Sequence, residues 1–218
     1  MTAERLTIET PRGEVSAELT GRGPARPVVV CAHGAGNDMR NPSLLGFAEG
    51  LAEEGMACLR FNFPYKERGS KAPDPPRVLL DAWRAAFERA QGLGDAVWVS
   101  GKSMGGRIGS MAVAEGMPAT GLVFLGYPLH PPGKPERIRD AHLDAVHVPM
   151  LFIQGTQDSF ARWDLLEGVV KRLADRAVLR PIEGGDHSFR VRGRPRDDHG
   201  TGRELAAIAA EFIRERSG

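Results

Sequence analysis

The sequence predicts an α/β domain: a mostly parallel sheet with helices on both faces, led by an antiparallel hairpin. Short β-like apolar runs alternate with helical patterns along the 218 residues, which is how parallel strands joined by helical crossovers read. The 27 glycines and 16 prolines fall between those runs instead of forming one tract. They mark turns, not disorder.

The elements follow in order. Residues 6–10 and 14–19 flank Pro11-Arg12-Gly13, and so short a turn can join only antiparallel strands. Residues 28–32, Val-Val-Val-Cys-Ala, form the unbroken apolar run of a strand buried on both faces. A Gly- and Asn-rich loop spans 34–41, and Pro42 opens a helix whose spacing is set by Leu44, Leu45, Phe47, Ala48 and Leu51. A strand follows at 56–61, a proline-rich loop at 63–76, and a helix at 78–91 with Leu79, Ala82, Trp83, Ala86, Phe87 and Ala90 inward. Strands at 96–100 and 122–125 bracket a small-residue helix at 104–115. Strands at 150–154 and 178–182 bracket a helix at 163–173, and a helix at 202–214 closes the chain.

The length suits one domain over 1–218, with 127–149 as a possible minimal cap. The 29 Lys and Arg against 28 Asp and Glu leave a charge of +1, which gives no reason to expect nucleic acid or an anionic membrane as partner. No run approaches the roughly 20 apolar residues of a membrane span. The first residues carry charges where a signal peptide is apolar. Cys31 and Cys58, both in apolar runs, read as buried thiols of a reducing compartment. The expected setting is the cytoplasm.

Gly101-Lys102-Ser103-Met104-Gly105-Gly106 lies between a strand and a helix. This is the G-x-S-x-G pattern in the context it needs, a sharp turn that lifts a serine nucleophile to the helix N-terminus. His33-Gly34-Ala35-Gly36 ends an earlier strand like a loop that supplies oxyanion donors. The Ala35 and Met104 amides are the candidate pair. His33 itself reads as a residue that pins this loop rather than one that takes protons.

Asp158 follows the strand at 150–154, where an acid reaches the crevice beyond the carboxyl ends of parallel strands. His187 sits in Gly184-Gly185-Asp186-His187 after the last strand. The chain order Ser103, Asp158, His187 suits a nucleophile, an orienting acid and a general base. His130, His142 and His147 are weaker candidates, His199 is a fallback base, and Asp186 could replace Asp158 as the acid.

Together these segments resemble the α/β-hydrolase superfamily. The resemblance is to its small lidless branch related to testis-expressed protein 30 and to the hydrolase-like domain of a chromatin acetyltransferase-complex subunit, near the dienelactone hydrolases. Gly126-Tyr-Pro-Leu-His-Pro-Pro-Gly133 and Gln154-Gly-Thr-Gln-Asp158 belong to the same set of matches. The resemblance implies an eight-stranded fold and a Ser103–His187–Asp158 triad, and it implies no agreed substrate. Some relatives act in complexes, which leaves room for a protein partner, a homodimer or an idle scaffold.

The expected activity is cleavage of an ester or thioester of a small substrate. A peptidase or a lactone hydrolase is the alternative, although dienelactone enzymes carry cysteine where Ser103 stands. Lys102 and Arg107 could draw an anionic ester, or could pair with buried acids such as Asp158 or Glu183, or run outward. Tyr127 and His130, like His33, are candidates to line the site. Arg190, Arg192, Arg194 and Arg196 read as a solvated loop because Asp197 and Asp198 follow at once. No cluster has metal-ligand spacing, and no cofactor is implied.

Overall fold

Successive residues of a strand point to opposite faces of the sheet. Along β3 (Pro27–Ala32) Val28, Val30 and Ala32 enter one core, while Val29 and Cys31 enter another. The same division runs through β4 (Ala57–Phe61), β5 (Ala96–Lys102), β6 (Gly121–Leu125) and β7 (Met150–Gly155). Both faces are buried, which is why these strands read as unbroken apolar runs. The structure, a computed structural model, describes residues 3–21 and 27–217. With β1 (Glu4–Thr10), β2 (Gly13–Thr20) and β8 (Ala177–Ile182), the sheet has eight strands in the order β1-β2-β4-β3-β5-β6-β7-β8. The pairs β1–β2 and β2–β4 are antiparallel, and the rest are parallel.

Helices α3 (Pro76–Gln91), α4 (Met104–Ala114) and α5 (Trp163–Leu173) supply Trp83, Ile108 and Leu166 to the first core. Helices α1 (Pro42–Glu53) and α6 (Asp198–Ser217) supply Phe47, Leu51, Ala206 and Ile213 to the second. The α1–α6 pair is drawn close by glycine. A Cβ at Gly202 would run into the Ser43 carbonyl oxygen and stand 2.7 Å from the Phe47 nitrogen.

Element boundaries differ from the sequence reading for local reasons. The 63–76 loop contains a one-turn helix, α2 (Pro64–Glu67), and α3 starts at Pro76, where a missing N–H costs nothing at a first helical position. Helix α6 starts at Asp198, four residues before the expected 202. Asp197 accepts the Gly200 N–H at 2.8 Å and caps that start. Gly202 is therefore no helix breaker; it is the point where α1 passes. The 127–149 segment holds a 3₁₀ turn, Ala141–Ala145, whose His142 Nε2 lies 2.8 Å from Ser110 Oγ on α4.

Two glycine-to-alanine changes separate packing from propensity. Alanine is favoured over glycine inside a helix by about 1 kcal/mol. In α5, Gly168 has open space around its would-be Cβ, so Gly168→Ala is expected to raise stability by up to about 1 kcal/mol. In α6, Gly202→Ala is expected to lower it by about 1–3 kcal/mol because the extra carbon overpacks the α1 contact. Urea unfolding midpoints measure both signs.

Candidate active site

Strand β5 ends at Lys102 and helix α4 begins at Met104, so Ser103 alone makes the turn. Its backbone is at φ 52°, ψ −117°, a conformation that costs a non-glycine residue on the order of 1–3 kcal/mol. The surroundings hold it there. The Ser103 N–H donates to the Leu125 carbonyl on β6 at 3.1 Å, and the Ser103 carbonyl accepts from the Arg107 N–H at 3.1 Å. On either side, glycine permits the approach. A Cβ at Gly105 would stand 2.5 Å from the Ala32 carbonyl oxygen, and one at Gly101 would strike the Gly106 nitrogen. The Trp83 indole N–H donates to the Gly105 carbonyl at 3.0 Å. Trp83 thus ties α3 to the first turn of α4, a role hidden in the sequence behind its place on an apolar helix face.

From Ser103 a hydrogen-bonded row runs inward. Ser103 Oγ lies 2.8 Å from His187 Nε2, and His187 Nδ1 lies 2.6 Å from Asp158 Oδ2. The Asp158 side chain is fully buried, whereas that of His187 is 20% exposed. Asp158 accepts further bonds from Gln154 Nε2 at 2.5 Å and from the Phe160 N–H at 2.7 Å. Gln154 in turn accepts the Tyr127 N–H at 2.7 Å through Oε1. That bond settles which end of the amide faces the carboxylate, so Asp158 meets only donors. Gln154 is legible as the residue that ends its strand and opens a segment of the family resemblance, but nothing in its spacing marks this role.

The imidazole is held on its face as well as its edges. The Phe160 ring stacks on it with centroids 4.1 Å apart and planes 26° from parallel. Burial lowers the His187 pKa from its ordinary 6.5, with the Asp158 hydrogen bond opposing the fall. Asp186, a candidate alternative acid, has another task. Its carboxylate accepts the Ser188 and Arg190 N–H groups at 2.7 and 2.9 Å and so folds the turn that carries His187.

The 33–36 loop lies directly against the elbow. A Cβ at Gly34 would be 3.6 Å from the Ser103 Cβ, and Ala35, the next residue, is exposed. His33 is fully buried. Its Nε2 accepts the Phe63 N–H at 3.2 Å, so Nδ1 carries the proton and donates to the Gly34 carbonyl at 2.8 Å. Burial takes its pKa down to about 4. A substrate cannot touch a ring with no exposed surface, so His33 works beneath the loop.

Tyr127 and His130 likewise face inward. The Tyr127 hydroxyl donates to the Arg139 carbonyl at 2.7 Å, and His130 Nε2 accepts the Arg162 N–H at 2.8 Å. Both are at most 4% exposed and fasten the 127–149 segment. Arg107 is partly buried, with Nη1 3.4 Å from the Met111 sulfur. Among the described residues neither Arg107 nor Lys102 forms an ion pair with Asp158 or Glu183, the acids considered as their partners. The Lys102 ammonium bonds to a backbone carbonyl instead, that of His187.

The remaining candidates lie elsewhere. His199 Nε2 is 3.0 Å from Glu49 Oε2 on α1, and His142 is engaged by Ser110. Arg190 and Arg196 both reach Asp198, at 3.6 and 2.6 Å. Cys31 and Cys58 are buried free thiols, and burial together with Cys31 pushes the Cys58 pKa up. No group of side chains suited to a metal ion occurs among the described residues, and none of their helices is long and apolar enough to cross a membrane.

Residues 25–214 match the family described as the alpha/beta hydrolase domain, and the chain belongs to that family. Among solved structures, a serine hydrolase without a lid from Xanthomonas campestris has a TM-score of 0.73 at 21% identity, covering 99% of this chain and 95% of its own. Dienelactone hydrolase from Anabaena variabilis has a TM-score of 0.73 at 21% identity, covering 98% of this chain and 97% of its own. At such identities the likeness speaks for the fold. The quorum-quenching protein AidA of Acinetobacter baumannii is 37% identical over 92 residues, which make up 38% of this chain but only 29% of that relative. The class of protein is thus an α/β domain of the hydrolase family, with a serine hydrolase without a lid among its structural neighbours.

The strained serine makes its own prediction. Glycine adopts positive φ freely, so Ser103→Gly is expected to raise stability by about 1 kcal/mol, the strain relief exceeding the entropy glycine adds to the unfolded chain. Ser103→Ala keeps the strain and should stay within about 0.5 kcal/mol of wild type. Chemical denaturation of the three proteins tests this order.

Proposed function

We propose that the protein is a serine hydrolase that cleaves a carboxylic ester or thioester of a small substrate through an acyl-enzyme. One observation carries the reading: the unbroken row from Ser103 through His187 to the buried Asp158. In the proposed mechanism Ser103 Oγ attacks the carbonyl carbon while His187 Nε2 takes its proton. Asp158 holds Nδ1–H, fixes the tautomer and stabilises the imidazolium. The carbonyl oxygen becomes an oxyanion at the start of α4, where the Met104 N–H and the helix dipole favour negative charge and the Ala35 N–H is the second donor. His187 then gives the proton to the leaving alcohol or thiol. Water, deprotonated by the same nitrogen, releases the acid and restores Ser103.

The substrate reaches a site with no cap helix over 127–149, where the one helical element is the 3₁₀ turn beside α4. A small ester needs no more enclosure than a partly exposed Ser103 and His187 supply. The small overall charge leaves the acyl group unspecified.

Turnover of p-nitrophenyl esters and acyl thioesters of graded chain length tests the proposal. Ser103→Ala is expected to lower kcat/KM by about a thousandfold or more. Equal turnover by wild type and variant would contradict it. The base must be neutral to work, so kcat/KM should fall as pH drops through the His187 pKa. Burial depresses that pKa, which places the acid limb below about 6.5.

A further inference from the structure

Lys102 precedes the nucleophile, yet the chemistry above leaves it unused. Its side chain passes under the His187 loop, and its Nζ donates to the His187 carbonyl oxygen at 2.5 Å. The residue keeps some exposed surface, while the ammonium end is enclosed. Two features make room for that end. Gly126, at φ 72°, leaves a hollow that a Cβ would fill, since that carbon would stand 3.0 Å from Nζ and 3.4 Å from the His187 carbonyl oxygen. The Phe189 ring, its backbone at φ 63°, presents its face to Nζ at 5.4 Å, a cation–π arrangement. A glycine, a strained phenylalanine and a backbone carbonyl thus converge on one buried cation.

We propose that Lys102 is a positioning residue for His187: it ties the His187 carbonyl to the end of β5, one residue from the nucleophile, and so fixes the imidazole between Ser103 and Asp158. The proposal rests on the reading of that row as acyl-transfer machinery. A backbone tie suits this loop because the turn carrying His187 is otherwise held by bonds to Asp186 and to Thr156 and Gln157 beyond the end of β7.

The charge adds a second effect. The groups that act on His187 are Asp158 from the loop after β7, Lys102 from β5 and Asp186 from its own turn. Those acting on Lys102 are Asp158 and Asp186. Lys102 opposes protonation of His187, whereas both aspartates favour it. The ammonium therefore helps keep the base neutral at mildly acidic pH. Burial also brings the Lys102 pKa down to about 8, so the tie weakens as pH rises through that value and kcat should decline there.

The test compares wild type, Lys102→Met and Lys102→Gln by kinetics on an ester substrate, with His187 titrated by nitrogen-15 NMR in a Ser103→Ala background. Lys102→Met removes donor and charge at similar length. It is expected to lower kcat about 10- to 100-fold with little change in KM, and to raise the His187 pKa and the acid limb by about one unit. Lys102→Gln keeps a donor without the charge, so it should recover part of kcat while showing the same pKa rise. If Lys102 only filled space, Lys102→Met would move neither the imidazole titration nor the limb. Unchanged kcat and an unchanged His187 pKa in folded Lys102→Met overturn the proposal. If wild type cleaves no ester, the hydrolase reading fails, and the NMR titration alone then decides whether Lys102 acts on His187.

Discussion

The close approach of β5 to the first turn of α4 is the constraint on which the rest of the site depends. Gly101 meets the backbone of Gly105 and Gly106, and Gly105 meets the carbonyls of Ala32 and His33. With no side chains between them, the chain must reverse within one residue. That residue, Ser103, is forced to φ 52° and stands clear of both elements. The strain is small beside the packing that enforces it: two parallel ladders flank β5, and the Trp83 indole fixes the first helical turn from outside.

Once the serine is fixed, each partner is placed by a different strand end. Asp158 comes from the loop after β7, His187 from the loop after β8, and the 33–36 loop from the end of β3. Adjacent parallel strands bring these loops to one edge of the sheet, where crevices form in α/β folds. Polar groups buried there are satisfied in sequence. Tyr127 N–H engages Gln154, Gln154 engages Asp158, and Asp158 engages His187. Such a network is worth most when complete, because a single unpaired member in a low-dielectric site is costly.

Much of this was legible in the sequence where a backbone necessity left a residue-type signature. Glycines around Ser103 and doubled glycines before His187 record close approaches, and the unbroken run at 28–32 records burial on two faces. Side-chain partnerships left no such mark. Nothing in the spacing around Phe160 marks it, yet its ring covers the imidazole. Trp83 looked like core and also donates a hydrogen bond. Lys102 was weighed as a substrate contact or an ion-pair member, but its partner is a backbone carbonyl, which sequence cannot single out. The start of α6 was misplaced for a related reason: Gly202 signals a helix end locally and serves helix packing globally.

The central claim is that Ser103 is a nucleophile activated by His187 and Asp158. The most direct measurement is mass spectrometry of the native protein after reaction with a fluorophosphonate. Cleavage after Lys102 and Arg107 isolates the peptide Ser103-Met104-Gly105-Gly106-Arg107. The account predicts a phosphonyl adduct on that pentapeptide, formed by the native protein, lost on prior unfolding and slowed strongly in His187→Ala. An adduct on another serine, such as Ser110, or an unmodified pentapeptide from folded protein would contradict it.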